Sequence, residues 1–209
     1  MPAGRRKSSA HLRRLIKMLA KVFSFGLIGI EAYPIEIEVD VSSGLPSIKL
    51  VGLLDVSVKE SGERVKSAIK NSGFHWPSER ITISLAPSDI KKEGSCFDLA
   101  IALGILSATG QLNGDRLQHY CILGELSLEG SLRPTKGILP ISIALSKSKI
   151  KDIILAPANA KEAAGVSDIC VWPLKTLRQT VEFLNTPQML APFKVDLEEL
   201  FRSNYHYAL

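Results

Sequence analysis

Alternation of apolar and polar residues predicts several strands in the first half of the chain. Residues 20–30 are apolar at nearly every position, which is typical of a strand buried on both faces. Residues 35–41 alternate isoleucine or valine with glutamate or aspartate, so they predict a strand with one wet face rather than a cluster of acids for catalysis or metal binding. Shorter apolar runs at 48–53 and 81–85 predict two further strands.

Two helices are predicted from caps and from apolar positions at helical spacing. Asp55 is expected to cap a helix whose apolar face includes Gly62, and close packing against a neighbour would explain a glycine there. Either Ser95 or Asp98 is expected to cap a second helix that covers residues 99–109. This helix is apolar all round, which predicts a position at the centre of the fold.

The second half of the chain alternates strands with helices. The pattern predicts strands at 119–128, 152–157 and 169–173, and helices at 138–150 and 175–185. Hairpins early in the chain and strand–helix–strand units later indicate a domain of the α/β (α+β) class.

The positive charge is concentrated at the start of the chain. The formal net charge is +5, and residues 1–17 alone contain six lysines and arginines and no acid, so the remainder is near neutral. This basic arm, expected to be disordered, has three interpretations: a contact with nucleic acid or an anionic membrane, a transit-type peptide, or an extension upstream of a true start at Met18. The third is preferred because the first strand pattern begins directly after Met18.

Several classes of site find no support in the sequence. The three cysteines are widely spaced and lack a C-x-x-C pair, which argues against zinc and fits a reduced, cytoplasmic compartment. Neither the phosphate-binding pattern G-x-x-x-x-G-K-[ST] nor the dinucleotide pattern G-x-G-x-x-G occurs. No apolar run approaches the roughly 18 residues of a membrane span. We therefore expect no metal, no cofactor, no ATP hydrolysis and no membrane insertion from this chain alone.

Cys96 is the strongest candidate for covalent chemistry. It lies between a polar loop that contains Lys91 and Lys92 and the apolar helix. A helix N-terminus with positive charge nearby lowers the pKa of a thiol and favours a nucleophile. Cysteine is also one of the residue types most often buried as a plain hydrophobe. The sequence pattern by itself favours this second interpretation.

Several long motifs together resemble a known family. They include KKEGSCFDLAIALGIL at 91–106, LGELSLEGSLRPTKGILPISIAL at 123–145 and EAYPIEIEVDVSSGLPSIKLVGL at 31–53. These motifs are similar to the N-terminal domain of the Mg-chelatase-like AAA+ ATPases of the ComM/YifB group, which looks like the proteolytic domain of Lon protease. The resemblance covers residues 18–186 and implies the Lon-like, ribosomal-protein-S-five domain-two-like fold. Residues 187–209 would then be a linker toward an absent AAA+ module.

The resemblance also assigns the positions of the Lon catalytic pair. It places Cys96 at the position of the nucleophilic serine and Leu139 at the position of the lysine base. Lys136, three residues earlier, is a poor substitute because a general base must come within hydrogen-bonding distance of the proton that it removes. The resemblance thus implies a degenerate site without catalytic residues, and a residual peptidase that uses Cys96 is the alternative.

The expected partners follow from the same resemblance. Relatives are hexameric ATPases linked to DNA branch migration in natural transformation, so we expect an AAA+ module, further copies of the chain and DNA as partners. ATP and Mg²⁺ would be bound only by the AAA+ module, and this chain would act in assembly or in positioning substrate or DNA. Lys91, Lys92 and Asp98 form a candidate contact loop; solvated lysines and a helix-capping aspartate are the alternative interpretation. The basic arm is a second candidate for binding nucleic acid.

Overall fold

The structure is a computed structural model that describes residues 19–187 and 190–194. The predicted basic arm, with Met18, lies outside the described residues, as does most of the predicted linker. Within that linker, the Phe193 N–H donates to the carbonyl of Val171 at 2.8 Å, so this short segment pairs with the last strand of the sheet.

Seven strands form one mixed sheet, and two more form a small hairpin. The order in the large sheet is β3-β4-β2-β1-β5-β8-β9, with antiparallel pairs β1–β2 and β2–β4 and parallel pairs elsewhere. The hairpin β6–β7 is antiparallel. The mixed α/β class expected from the sequence is confirmed. The strands are β1 Leu19–Ile28, β2 Glu31–Ser42, β3 Ser47–Val51, β4 Arg80–Ala86, β5 Tyr120–Ile122, β6 Glu125–Leu126, β7 Leu132–Arg133, β8 Asp152–Leu155 and β9 Cys170–Pro173.

A tight hairpin joins β1 to β2. The two strands pair along their full length, from Leu19 opposite Asp40 to Ile28 opposite Glu31, with Gly29 in the left-handed region at φ +61° in the turn. The acids of β2 face solvent as the alternation predicts, and the Lys21 Nζ lies 2.9 and 2.8 Å from two of their carboxylates. These acids therefore form a solvated, ion-paired surface.

Six α-helices cover the two faces of the sheet in the described part of the chain. The helix α3 packs on β1 and β2 and is buried at every position, which confirms its predicted central place. Its Gly104 lies so close to β2 that a Cβ there would meet Val39 Cγ2 at 2.6 Å. The helices are α1 Val56–Lys59, α2 Ser61–Asn71, α3 Asp98–Ala108, α4 Ile138–Ser146, α5 Ala160–Ala164 and α6 Leu177–Asn185.

The core has two parts, one on each face of the sheet. Val22 packs with α3 on one face of the sheet, whereas Phe25 packs with α4 on the other. The two residues are three positions apart on β1, and side chains separated by an odd number of positions point to opposite faces of a strand. Gly62 on α2 is buried, and a Cβ there would lie 3.1 Å from Ile48 Cδ1, so the predicted close packing is confirmed. None of the helices in the described ranges is long and apolar enough to span a bilayer.

Two local predictions were wrong. The predicted strand 119–128 is broken after Ile122, because the Gly124 N–H donates to the Cys96 carbonyl at 2.9 Å and the chain leaves the sheet to form β6. Neither Ser95 nor Asp98 caps α3 with its side chain, since Phe97 is the N-cap residue and Asp98 is the first residue of the helix. The carboxylate of Asp98 faces sideways, toward α2, and is used there.

Candidate functional site

A cleft of about 680 Å³ opens beside Cys96, where β1 ends. Three parts of the chain form its walls: the end of β1 with its turn, the loop 93–96 that leads into α3, and the segment 134–136 between β7 and α4. Asp55 and Ser57, at the start of α1, complete the wall beside the loop. The volume lies within the range of about 300–1,000 Å³ that ligand sites occupy.

Asp55 fixes the loop that forms one wall of this cleft. Its carboxylate caps α1 by accepting from the Val58 N–H at 2.9 Å, and it also accepts from the Gly94 N–H at 3.2 Å. The predicted cap is confirmed, but the single helix predicted to follow it is divided at Glu60, so Gly62 lies on α2. The backbone of Lys92 adds two bonds, one to the Leu53 carbonyl at 2.8 Å and one from the Asp55 N–H at 3.0 Å. The loop is therefore pinned to the start of α1.

Lys92 is a buried residue whose side chain stabilises the backbone that leads into the same loop. Its side chain is fully buried, and its ammonium donates to the carbonyl of Ile90 at 2.7 Å and to that of Pro87. Loss of hydration on burial lowers the pKa of this lysine. Of the two lysines in the predicted contact loop, only Lys91 is exposed, and it pairs with Glu93 at 2.7 Å.

The thiol of Cys96 lies at the base of the cleft in an apolar setting. The side chain is half-buried and contacts both parts of the core. Burial, together with the nearby negative charge of Asp98, raises the pKa of Cys96 to about 12. The residue is therefore a protonated thiol at neutral pH, which is a weak nucleophile.

Asp98 links the start of α3 to α2 and to the hairpin β6–β7. Its fully buried carboxylate accepts from Arg64 Nε at 2.8 Å and Nη2 at 3.1 Å, and from the Leu126 N–H at 3.3 Å. Burial raises the pKa of Asp98 to about 6, although the guanidinium lowers it. This ion pair holds the elements beneath the cleft together, so Asp98 is not a surface contact residue.

Ser95 and Glu125, whose contact the sequence did not reveal, both line the cleft. The Ser95 hydroxyl donates to the carboxylate of Glu125, which also accepts from Arg133 Nη1 at 3.1 Å. These bonds lower the pKa of Glu125, so the carboxylate is a poor base for activating Ser95. Ser95 lies 30 positions before Glu125, in a different motif, and Arg133 lies 8 positions after Glu125. No local pattern indicates that the three residues meet.

Of the two residues considered for the Lon base, Lys136 lines the cleft and Leu139 does not. Leu139 is 46% exposed on α4, and its N–H donates to Glu162 at 2.9 Å. Lys136 lines the same cleft as Cys96, but within residues 19–187 and 190–194 no hydrogen bond joins its ammonium to the thiol. No group of metal-ligating side chains occurs in the described part of the chain. The thiol of Cys96 and the amine of Lys136 therefore line one cleft without a hydrogen bond between them.

Comparison with known proteins identifies the family. Residues 37–159 match the model of the family described as subunit ChlI of Mg-chelatase. Competence protein ComM of Haemophilus influenzae is 44% identical over 172 residues, which are 82% of this chain and 34% of that protein. Protein YifB of Escherichia coli is 44% identical over 144 residues, 69% of this chain and 28% of that protein.

A more distant likeness extends to peptidases. Lon protease 2 of Bacillus subtilis is 26% identical over 184 residues, which cover 79% of this chain and 32% of that protein. The chain spans about a third of the length of the relatives that it matches. With the family model matching more than half of its residues, the chain belongs to the Mg-chelatase-like family of subunit ChlI, as its motifs predicted.

Proposed function

We propose that this chain is a non-catalytic, Lon-like module of a ComM/YifB-type ATPase, and that it acts in assembly or in positioning substrate. The observation that carries the proposal is the state of Cys96. Its thiol has a pKa of about 12 because it is buried, and the position of the Lon base holds Leu139. A nucleophile without a base within reach does not form a catalytic pair.

The proposed role concerns only the part of a ComM/YifB-type protein that this chain matches. The relatives are about three times as long as their matched parts. The resemblance to the ComM/YifB group implies that ATP and Mg²⁺ would be bound by an AAA+ module outside the matched region. The DNA-related role of the module rests on one name, Competence protein ComM, and on the resemblance of the motifs. We also propose that several copies of the chain assemble into a ring and that the protein is located in the cytoplasm.

A peptidase assay tests the non-catalytic assignment. The chain, a Cys96→Ala variant and a Lys136→Met variant would each be incubated with fluorogenic peptides and with unfolded casein. We expect no hydrolysis above buffer and no difference among the three proteins. Hydrolysis that is lost in both variants would contradict the proposal and would establish a residual cysteine peptidase that uses Lys136 as its base.

Nucleic-acid binding by the basic arm is a second candidate function. Residues 1–17 hold six positive charges and no acid, which is the composition of an arm that contacts phosphates. Binding to single- and double-stranded DNA would be measured across salt concentrations, with and without residues 1–17. Counterion release predicts a steep salt dependence that disappears with the arm, and an unchanged slope would reject this function.

A further inference from the structure

The outer face of α4 carries apolar side chains that the core does not use. Ile138, Ile141 and Leu145 bury the inner face of this helix. Leu139 and Ile143, four residues apart and therefore neighbours on the outer face, are 46% and 43% exposed. Single exposed apolar residues are ordinary on a protein surface, but these two lie side by side on one helix.

Two exposed lysines follow this face at the end of the helix. Lys147 is the C-cap residue of α4, and Lys149 lies in the connection to β8. Neither forms an ion pair with an acid among residues 19–187 and 190–194. Asp152, the nearest acid along the chain, accepts from Trp172 Nε1 at 2.7 Å. A cation at a helix C-terminus interacts favourably with the helix dipole, which explains Lys147 but not its apolar neighbours. We call Leu139, Ile143, Lys147 and Lys149 the α4 surface.

The last described residues lie close to this surface. They pair antiparallel with β9, which places Lys194 opposite Cys170. The Cys170 N–H donates to the Lys151 carbonyl at 2.8 Å, and the Lys151 ammonium donates to the Ser146 carbonyl in the last turn of α4. Three steps of about 5 Å each, the spacing of neighbouring strands, therefore lead from Lys194 to the end of α4.

The sequence that continues from Lys194 complements the α4 surface. Residues 195–201, VDLEELF, lie outside the described residues. They contain three acids and no base, followed by two large apolar residues, which are Asp196, Glu198 and Glu199, then Leu200 and Phe201. An extended chain advances about 3.3 Å per residue, so residues 195–199 are long enough to reach the end of α4.

We propose that residues 195–201 bind to the α4 surface of their own chain. In this contact the three acids pair with the two lysines, and Leu200 and Phe201 cover Ile143. The contact continues the pairing of the preceding residues with β9. It goes beyond the proposed function, because it concerns the segment that follows the domain and not the cleft. The first part of the predicted linker is then a docked strap, which fixes the direction in which the chain leaves the domain.

Zero-length cross-linking of the full chain tests the ionic half of this contact. A carbodiimide joins a carboxylate to an amine that touches it, and mass spectrometry of the digested protein identifies the joined residues. We expect links from residues 196–199 to Lys147 or Lys149. We expect none to Lys70, an exposed lysine on α2, which packs in the other part of the core. In a mixture of isotopically labelled and unlabelled protein, each link should join residues of a single chain.

A matched pair of double variants tests the apolar half. Leu200→Ser combined with Phe201→Ser removes both apolar contacts. Tyr205→Ser combined with Tyr207→Ser, the control, removes two large side chains further along the same tail. Burial of one large apolar side chain changes a binding equilibrium by about tenfold or more. The first variant should therefore lose most of the cross-link and shift the methyl resonance of Ile143 in NMR spectra, and the control should change neither.

Three results would overturn the proposal. The first is links to the α4 surface that are absent or no more frequent than links to Lys70. The second is an Ile143 resonance that is the same in the unmodified chain and in both variants. The third is links that join labelled to unlabelled chains, which would assign the α4 surface to a contact between copies. None of these results concerns Cys96, so the non-catalytic assignment is tested separately.

Discussion

Replacing Asp98 with alanine should destabilise the domain strongly, because the carboxylate joins three elements under the cleft. The change removes the acceptor for Arg64 Nε at 2.8 Å and Nη2 at 3.1 Å and for the Leu126 N–H at 3.3 Å. Breaking one side of a buried ion pair costs about 3–5 kcal/mol. The guanidinium is 22% exposed and keeps a bond to the Ser57 carbonyl at 2.9 Å, which places the expected loss near the lower end, at about 3 kcal/mol.

Urea unfolding measures this loss, and a double-mutant cycle assigns it to the pair. With an m-value of about 2 kcal/mol/M, the midpoint of Asp98→Ala should fall by about 1.5 M at unchanged m. The cycle adds Arg64→Met and the double variant Arg64→Met/Asp98→Ala. Since each single change leaves a partner uncompensated, the double variant should lose less than the sum, with a coupling of about 1.5 kcal/mol or more. Additivity within about 0.5 kcal/mol would refute the reasoning.

The pH dependence gives a second check on this pair. The pKa of Asp98 is raised in the folded protein to about 6, so the folded state binds this proton more tightly than the unfolded chain. The resulting stabilisation is fully present below the unfolded pKa, about 3.9, and is lost as pH rises through about 6. Arg64→Met removes a group that lowers this pKa, so the variant should be less destabilised at pH 5 than at pH 8. A larger loss at pH 5 would contradict the assignment.

The remaining predictions concern buried positions. Lys92→Met should lower the unfolding free energy by about 2 kcal/mol, because two buried carbonyls lose their donor, whereas Lys91→Met should change it by less than about 0.5 kcal/mol; equal urea midpoints for the two variants would reject the buried role of Lys92. Gly104→Ala should destabilise by about 1–3 kcal/mol despite the better helix propensity of alanine, since its Cβ would meet Val39 Cγ2 at 2.6 Å. Gly165→Ala is the matched control, because its nearest contact would be 3.5 Å, and a higher Tm for Gly104→Ala than for the control would be inconsistent with the close packing.

Much of the fold was predictable because burial imposes a period on the sequence. The alternation at 35–41 indicated the central part of β2, which spans Glu31–Ser42, and its solvated face, which the pairing of Lys21 with the acids confirms. Residues 99–109 were predicted as a central helix because no polar face interrupts them, and α3 is buried throughout. A glycine on an apolar helix face lowers helix propensity, so close packing was an explanation for Gly62, and the structure confirms it.

The polar contacts of the site were not predictable from the sequence. Lys92 has the same local context as Lys91, and only the fold directs one lysine toward buried carbonyls and the other toward solvent. Aspartate is a residue type that commonly caps helices, but the carboxylate of Asp98 instead pairs with Arg64, which lies 34 positions earlier on another helix. The break after Ile122 depends on a hydrogen bond from Gly124 to Cys96, 28 positions away in the chain. Contacts between distant segments leave no period or local signal to detect.

The rate of alkylation of Cys96 tests the central claim most directly. Iodoacetamide labelling would be quantified by mass spectrometry of the Cys96 peptide, in the folded chain and in urea, from pH 7 to pH 10. A thiol of pKa about 12 holds far less thiolate at neutral pH than an ordinary cysteine, by about a thousandfold or more. The account predicts labelling slower by about that factor in the folded chain, rising about tenfold per pH unit and unchanged by Lys136→Met. Labelling at pH 7 as fast as in urea, with a plateau below pH 8 that is lost in Lys136→Met, would contradict it.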